Sequence, residues 1–206
     1  MLEFKLLYKG KEVQAQQRFA LSTSDDSVQL SDLRFYISEA QFLSASGDKT
    51  PFSRHHYLCD FQQPASLHIT APSQPKANGG EDVFFQIGID STTNSAGALG
   101  QDLDPVHGMY WTWNSGYINV KIQGTSASCP ARNHQFEFHL GGYQFPNNAL
   151  CEFKQRITNK DTLVIGVELS RFFAAIDLKK EYQIMSPSKR AVELSKLFAQ
   201  CFYLMP

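Results

Sequence analysis

The histidines come first, because imidazole nitrogen is the commonest metal ligand a protein offers. There are six: His55, His56, His68, His107, His134 and His139. A lone histidine is more often a surface or hydrogen-bonded residue than a ligand, so position has to discriminate. His139 stands between Phe138 and Leu140 and just before Gly141-Gly142, at a strand end where the backbone bends. His55 and His56 are adjacent at the head of another strand. His107 lies two residues before Met109, and imidazole with thioether suits copper, above all in its monovalent state. Asp90, Asn94, Asp102 and Asp104 flank a long polar segment. Their oxygens suit a hard cation, or serve turns in which Asp and Asn bond their own backbone. Trp111 and Trp113 alternate, so in a strand both point to one face. There they are either core or redox-active aromatics beside a metal.

Other chemistries leave no trace. No G-x-S-x-G elbow occurs, and the glycine-rich stretches lack the lysine of a phosphate loop. Glu152, Glu168, Glu181 and Glu193 are scattered, with no carboxylate pair for glycosidic work. The expectation is a protein that is not an enzyme. The net charge is −1 and the isoelectric point about 6.6, so no basic field exists for nucleic acid. No apolar run reaches the roughly 20 residues of a membrane helix. The first residues read as a strand carrying charges, not as a signal peptide, so the chain is cytosolic or its numbering begins at a processed end. Cys59, Cys129, Cys151 and Cys201 contain no C-x-x-C pair. They allow two disulfides or four buried thiols, and Cys129–Cys151 is the expected bridge, because the two bracket an expected strand pair.

Strand-like segments must position these residues. Aromatics make up 13% of the chain, with 16 Phe and 8 Tyr, which favours strands. Segments 2–8, 35–43, 54–61, 66–70, 82–89, 135–140, 149–157 and 162–169 read as strands. Segment 109–124 is the most aromatic. The turn Ser46-Gly47-Asp48-Lys49 joins 35–43 to 54–61 as a hairpin. Residues 71–80 and 91–104 read as polar loops. After Ser186-Pro187, Ala191, Leu194, Leu197, Phe198, Cys201 and Phe202 recur at helical spacing. A shorter helical piece falls at 171–175. Without a repeat or linker, residues 1–206 read as a single, mainly β domain.

Several segments, taken in order, resemble the MbnP-like copper-binding family. Asp32-Leu33-Arg34-Phe35-Tyr36-Ile37-Ser38 resembles its "DLRFY" opening. Phe85 to Ser91, with Asn94, resembles its "F-x-I-G-V-D-S-x-x-N" segment. Leu103-Asp104-Pro105 followed by Gly108-Met109-Tyr110-Trp111-Thr112-Trp113-Asn114-Ser115-Gly116-Tyr117 resembles "LDP…GMYWTWNSGY". His139-Leu140-Gly141-Gly142 resembles "HLGG", and Met185-Ser186-Pro187 fits before the last helix. The resemblance implies an antiparallel β-sandwich with a C-terminal α-helix, periplasmic or cell-surface, its signal peptide absent from this numbering. In the copper-binding branch histidines hold the metal, helped by a tryptophan oxidised to kynurenine by a diheme MauG-like peroxidase-class partner. On that pattern His139, with His55 or His56 and His107, is the expected ligand set. One departure matters. Copper-binding members often read "RFYVH" where this chain ends in Ser38, and Phe52 stands where that branch has a tryptophan. His55 or His56 on the facing strand would approach Ser38 or Ala40 and replace the lost ligand.

Overall fold

The computed structural model describes residues 1–14, 16–21, 26–71, 81–114, 116–157 and 162–206. Along the chain the strands begin with β1 (Leu2–Tyr8), β2 (Lys11–Glu12), β3 (Arg18–Ala20), β4 (Ser27–Leu43) and β5 (Lys49–Pro51). They continue with β6 (His56–Asp60), β7 (His68–Ile69), β8 (Asp82–Ile87), β9 (Tyr110–Trp111) and β10 (Gly116–Ser126). The last are β11 (Gln135–Gly141), β12 (Cys151–Arg156), β13 (Leu163–Glu168), β14 (Gln183–Ile184) and β15 (Phe202–Leu204). The α-helices are α1 (Ser91–Ser95), α2 (Leu169–Ala174) and α3 (Lys189–Ala199).

Two sheets form, as a mainly β sandwich requires. The smaller runs β15-β13-β1-β2, with β7 also on β1. The larger runs β12-β8-β4-β10-β11-β14, with β3, β5 and β6 on β4 and β9 on β10. The sheets are mixed rather than strictly antiparallel: β1 pairs β13 in parallel, and β11 pairs β14 in parallel. The first pairing joins the two ends of the chain, which no local turn signal announces. β4 is the spine. Its first half pairs β10, its second half β8, and its other edge carries β6. The expected hairpin forms, although its return strand β6 begins at His56.

Burial alternates along β8, with Val83, Phe85 and Ile87 inward, so one face of the large sheet meets the small one. Phenylalanines fill that space edge to face. Phe35 and Phe202 lie 5.5 Å apart at 88°, and Phe4 and Phe35 lie 5.7 Å apart at 75°. Each such pair adds about 1 kcal/mol beyond its buried area. α3 turns Ala191, Leu194, Ser195 and Phe198 inward. It starts later than Ser186-Pro187 because Ser188 caps it, its hydroxyl accepting from the Ala191 N–H. The opposite face of the large sheet carries a second, smaller cluster: Tyr36, Ile89, Leu103, Met109, Trp111, Tyr117 and Ile118.

Several expectations change. Residues 66–70 hold the end of a 3₁₀ turn, Pro64–Leu67, and the short β7. Most of the 71–80 loop lies outside the described residues. Segment 91–104 is not a featureless loop, because Asp90 caps α1 and a 3₁₀ turn occupies Gln101–Leu103. Segment 109–124 is a hairpin, so Trp111 and Trp113 do not share a strand face. The four cysteines are free thiols. Cys129 leads into β11, whereas Cys151 opens β12, and β8, β4 and β10 lie between those strands. The two cysteines therefore do not bracket one strand pair.

Candidate metal site

His139 lies in a cross-strand row. Register places Asp60 on β6 opposite Arg34, Arg34 opposite Lys121, and Lys121 opposite His139. All four point away from the inner core, since directly opposed residues share a face. The row is tied by charge. Arg34 Nε lies 3.1 Å from both Asp32 and Asp60, and Lys121 Nζ lies 3.3 Å from Asp32. Burial first, then the neighbouring Lys121 ammonium, hold the His139 pKa down at about 4 against the opposing pull of Glu137. With the ring neutral, the Gln123 amide donates to Nε2 at 2.9 Å. That nitrogen lone pair is occupied, and a fixed cation stands beside it. At Nε2, His139 has no free lone pair to give a metal ion.

His56 offers the opposite case. It pairs with Ser38, which also pairs with Gln86 on β8, so His56, Ser38 and Gln86 form another row on the same face. A bulge follows Ser38, where Glu39 takes φ of 49° and donates its N–H to the His55 carbonyl. Such bulges re-aim side chains next to functional sites. Ser38 spends its hydroxyl on the Gly88 carbonyl at 2.7 Å. On either side of it, His56 Nε2 and Gln86 Oε1 are buried with no hydrogen-bond partner among the described residues. Burial lowers the His56 pKa, while Asp90 and Glu39 oppose the shift. His55 is exposed, bonds Glu39 at 2.9 Å through Nδ1, and its ring centroid is 6.4 Å from that of His56. Both histidines line a cleft of about 290 Å³ closed by Arg54, Gln101 and Asp102. One buried imidazole nitrogen without a partner and a second imidazole beside it suit a cation of low coordination number.

The remaining expected residues go elsewhere. His107 binds the Gln101 carbonyl through Nε2 at 3.0 Å, and its own carbonyl accepts from Arg34 at 2.8 Å. Met109 is buried in the outer cluster, so it and His107 make no ligand pair. Asp90 accepts from the Thr93 N–H, Asp104 from the Val106 N–H, and Asp102 from Leu58 N–H and Arg54. Asn94 is buried and bridges three backbone groups, those of Ile89, Asp90 and Tyr117. Asp102 and Asn94 tie the 90–104 segment to β6 and β10, whereas Asp90 and Asp104 cap turns at its two ends. Among the described residues, no three His, Cys, Asp or Glu side chains converge as a ligand group. Trp111 is 5% exposed in the outer cluster, and Trp113 is 66% exposed in the β9–β10 turn, with ring centroids 6.3 Å apart. Sequence reasoning missed Glu39 and Gln86. The signal for Gln86 was its place as the lone amide within the apolar stretch 83–89.

Comparison with known proteins agrees with the architecture. The family model described as MbnP matches residues 1–186. The solved structure of MbnP from Methylosinus trichosporium superposes with a TM-score of 0.55 at 18% identity, covering 86% of this chain and 78% of that one. No curated protein sequence matches.

Proposed function

The chain belongs to the MbnP family, and on that premise we propose that it is an exported carrier taking up monovalent copper at His56. His55 is the second arm. The protein works beside a diheme MauG-like partner and catalyses no reaction of its own. The observation that carries this reading is the buried His56 Nε2, which has no partner among the described residues, on a ring that lines an open cleft. A buried polar atom left unpaired costs about 1–3 kcal/mol, and a soft cation accepting its lone pair removes that cost. Copper is cargo here. Two neutral imidazoles suit its monovalent form. Because burial depresses the His56 pKa, protons compete for the nitrogen only below the range of a free imidazole, about 6.5.

Trp113 is the indole that a partner can reach, since Trp111 is enclosed. Kynurenine formation by the diheme partner is therefore assigned to Trp113. Export to the periplasm or cell surface is compatible with four unpaired cysteines. Burial raises the Cys151 thiol to about 11, the Cys201 thiol to about 12 and the Cys59 thiol higher still, and protonated thiols react slowly. The test is a monovalent-copper titration against a competing chelator, with intact-mass and fragment analysis of protein from its native host. One equivalent of copper and an altered mass at Trp113 are expected. Absence of competitive binding would end the carrier reading.

A second reading has its own observation. The Ser38 hydroxyl is committed to Gly88 and does not replace a histidine ligand. A metal-free interaction domain on the same fold, docking the diheme partner, follows from that. It predicts recovery of the partner in a pull-down from protein that binds no copper.

A further inference from the structure

The β9–β10 turn and the segment after β11 enclose a cleft of about 470 Å³ at one end of the large sheet, which shares no lining residue with the cleft at His56. Trp113, Tyr143 and Phe145 supply its rings, and Asn114, Gln144 and Asn147 supply amides. Trp113 is 66% exposed and Phe145 98% exposed. Single exposed apolar residues are ordinary, but two large aromatics bracketing one cleft mark a binding surface.

The exposure is built in. Ala149 N–H donates to the Gly142 carbonyl at 2.9 Å, and Asn147 N–H to the Gln144 carbonyl at 2.7 Å. The Ser91 hydroxyl holds the Tyr143 carbonyl at 2.9 Å. Gly142 has φ of 123°, and a Cβ there would run into the Asn147 carbonyl, so the segment has one way to turn. The Tyr143 ring packs against Gly116, where an added Cβ would come within 3.2 Å of it.

We propose that this cleft binds a neutral carbohydrate. Among the described residues no side chain lining it is charged, which disfavours an ionic ligand. The faces of aromatic rings carry negative charge density, which complements the polarised C–H face of a pyranose. Each amide presents both donor and acceptor, as each sugar hydroxyl does, so every polar group of the wall finds a partner. A proline-rich peptide also favours aromatic grooves, but its prolines lack N–H groups and would leave the amide oxygens unpaired. The volume falls within the usual span for a small-molecule site, about 300–1,000 Å³.

The test is calorimetry of the whole chain with neutral hexasaccharides of α-linked glucose, β-linked glucose, N-acetylglucosamine and mannose, and with a proline decamer. One sugar is expected to bind with a dissociation constant of about 0.1–1 mM, and Trp113→Ala and Phe145→Ala each to weaken it about tenfold. Both side chains are exposed, so neither change threatens folding. His56→Ala should leave sugar binding intact, and Phe145→Ala should leave copper affinity intact, which separates failure here from failure of the carrier reading. Any of three results would overturn the proposal: no heat from any sugar at about 10 mM, saturation by the proline peptide instead, or undiminished binding by Phe145→Ala.

Discussion

His139 and His56 sit on the same outer face of the same sheet, with β10 and β4 between them, and burial favours the neutral form of both rings. The difference lies in their neighbours. At His139 a lysine deepens the shift, and an amide occupies the ring nitrogen. At His56 carboxylates oppose the shift, and the nitrogen is unpartnered. Low proton affinity alone therefore does not make a ligand. A free lone pair and a cation-tolerant surrounding do, and only His56 has both.

The sharpest way to break this comparison is substitution of each ring. His56→Ala should weaken monovalent-copper binding about 100-fold, by analogy with loss of a metal-site residue. His139→Ala should leave the affinity unchanged in the same chelator competition. Equal losses would show that the two rings belong to one site.

The next effect is on folding. The His139 pKa falls from 6.5 to about 4 on folding. Between those values the unfolded chain binds more protons, so stability rises with pH there and is lost as pH falls from about 6.5 towards 4. Allowing for partial solvent screening, the loss is about 2 kcal/mol. Urea midpoints at pH 7 and pH 4.5 should differ less for His139→Gln than for the parent. Carboxylates held low on folding, such as Asp26, Asp90 and Glu168, lose their contribution in a lower window common to both proteins.

How much of this could be read beforehand depended on range. The hairpin was legible from its Gly47-Asp48 turn, which brings His55 or His56 near Ser38 or Ala40, but the register that pairs His56 with Ser38 was not. The phenylalanine core and α3 were legible from periodicity. The fate of His139 was not. It depends on the β10–β11 register, which brings Lys121 and Gln123 beside it, and a ring between two apolar residues gives no hint of its cross-strand neighbours. The same limit explains Trp113. Thr112 to Asn114 form a turn, and alternation read through that turn put both indoles on one face. Asp90 and Asn94 were visible as oxygen donors, but their role as caps and brackets of a folded segment depends on contacts with Thr93, Ile89 and Tyr117.

A smaller effect sharpens the comparison from the other side. Ser38→His places an imidazole directly across from His56, where Cβ atoms of opposed residues lie about 5 Å apart. Loss of the Ser38–Gly88 hydrogen bond costs about 1 kcal/mol of stability. A second ligand fixed in the sheet replaces the exposed His55, and copper binding should tighten about tenfold, or roughly 1.4 kcal/mol. Unchanged affinity would place the copper away from this row.

The smallest expected effect decides why His139 is excluded. Lys121 and Gln123 both act on it, one through charge and one through the ring nitrogen. Lys121→Met removes the charge and leaves the amide. Because burial is the larger cause of the shift, the imidazole titration followed by NMR should rise by only about half a unit. Copper affinity should not change, since the Gln123 amide still donates to Nε2. A return of His139 to 6.5 would mean that charge rather than burial governs the ring. A gain in copper binding would mean that the lysine alone had kept the metal away, and the contrast with His56 would then reduce to one cation.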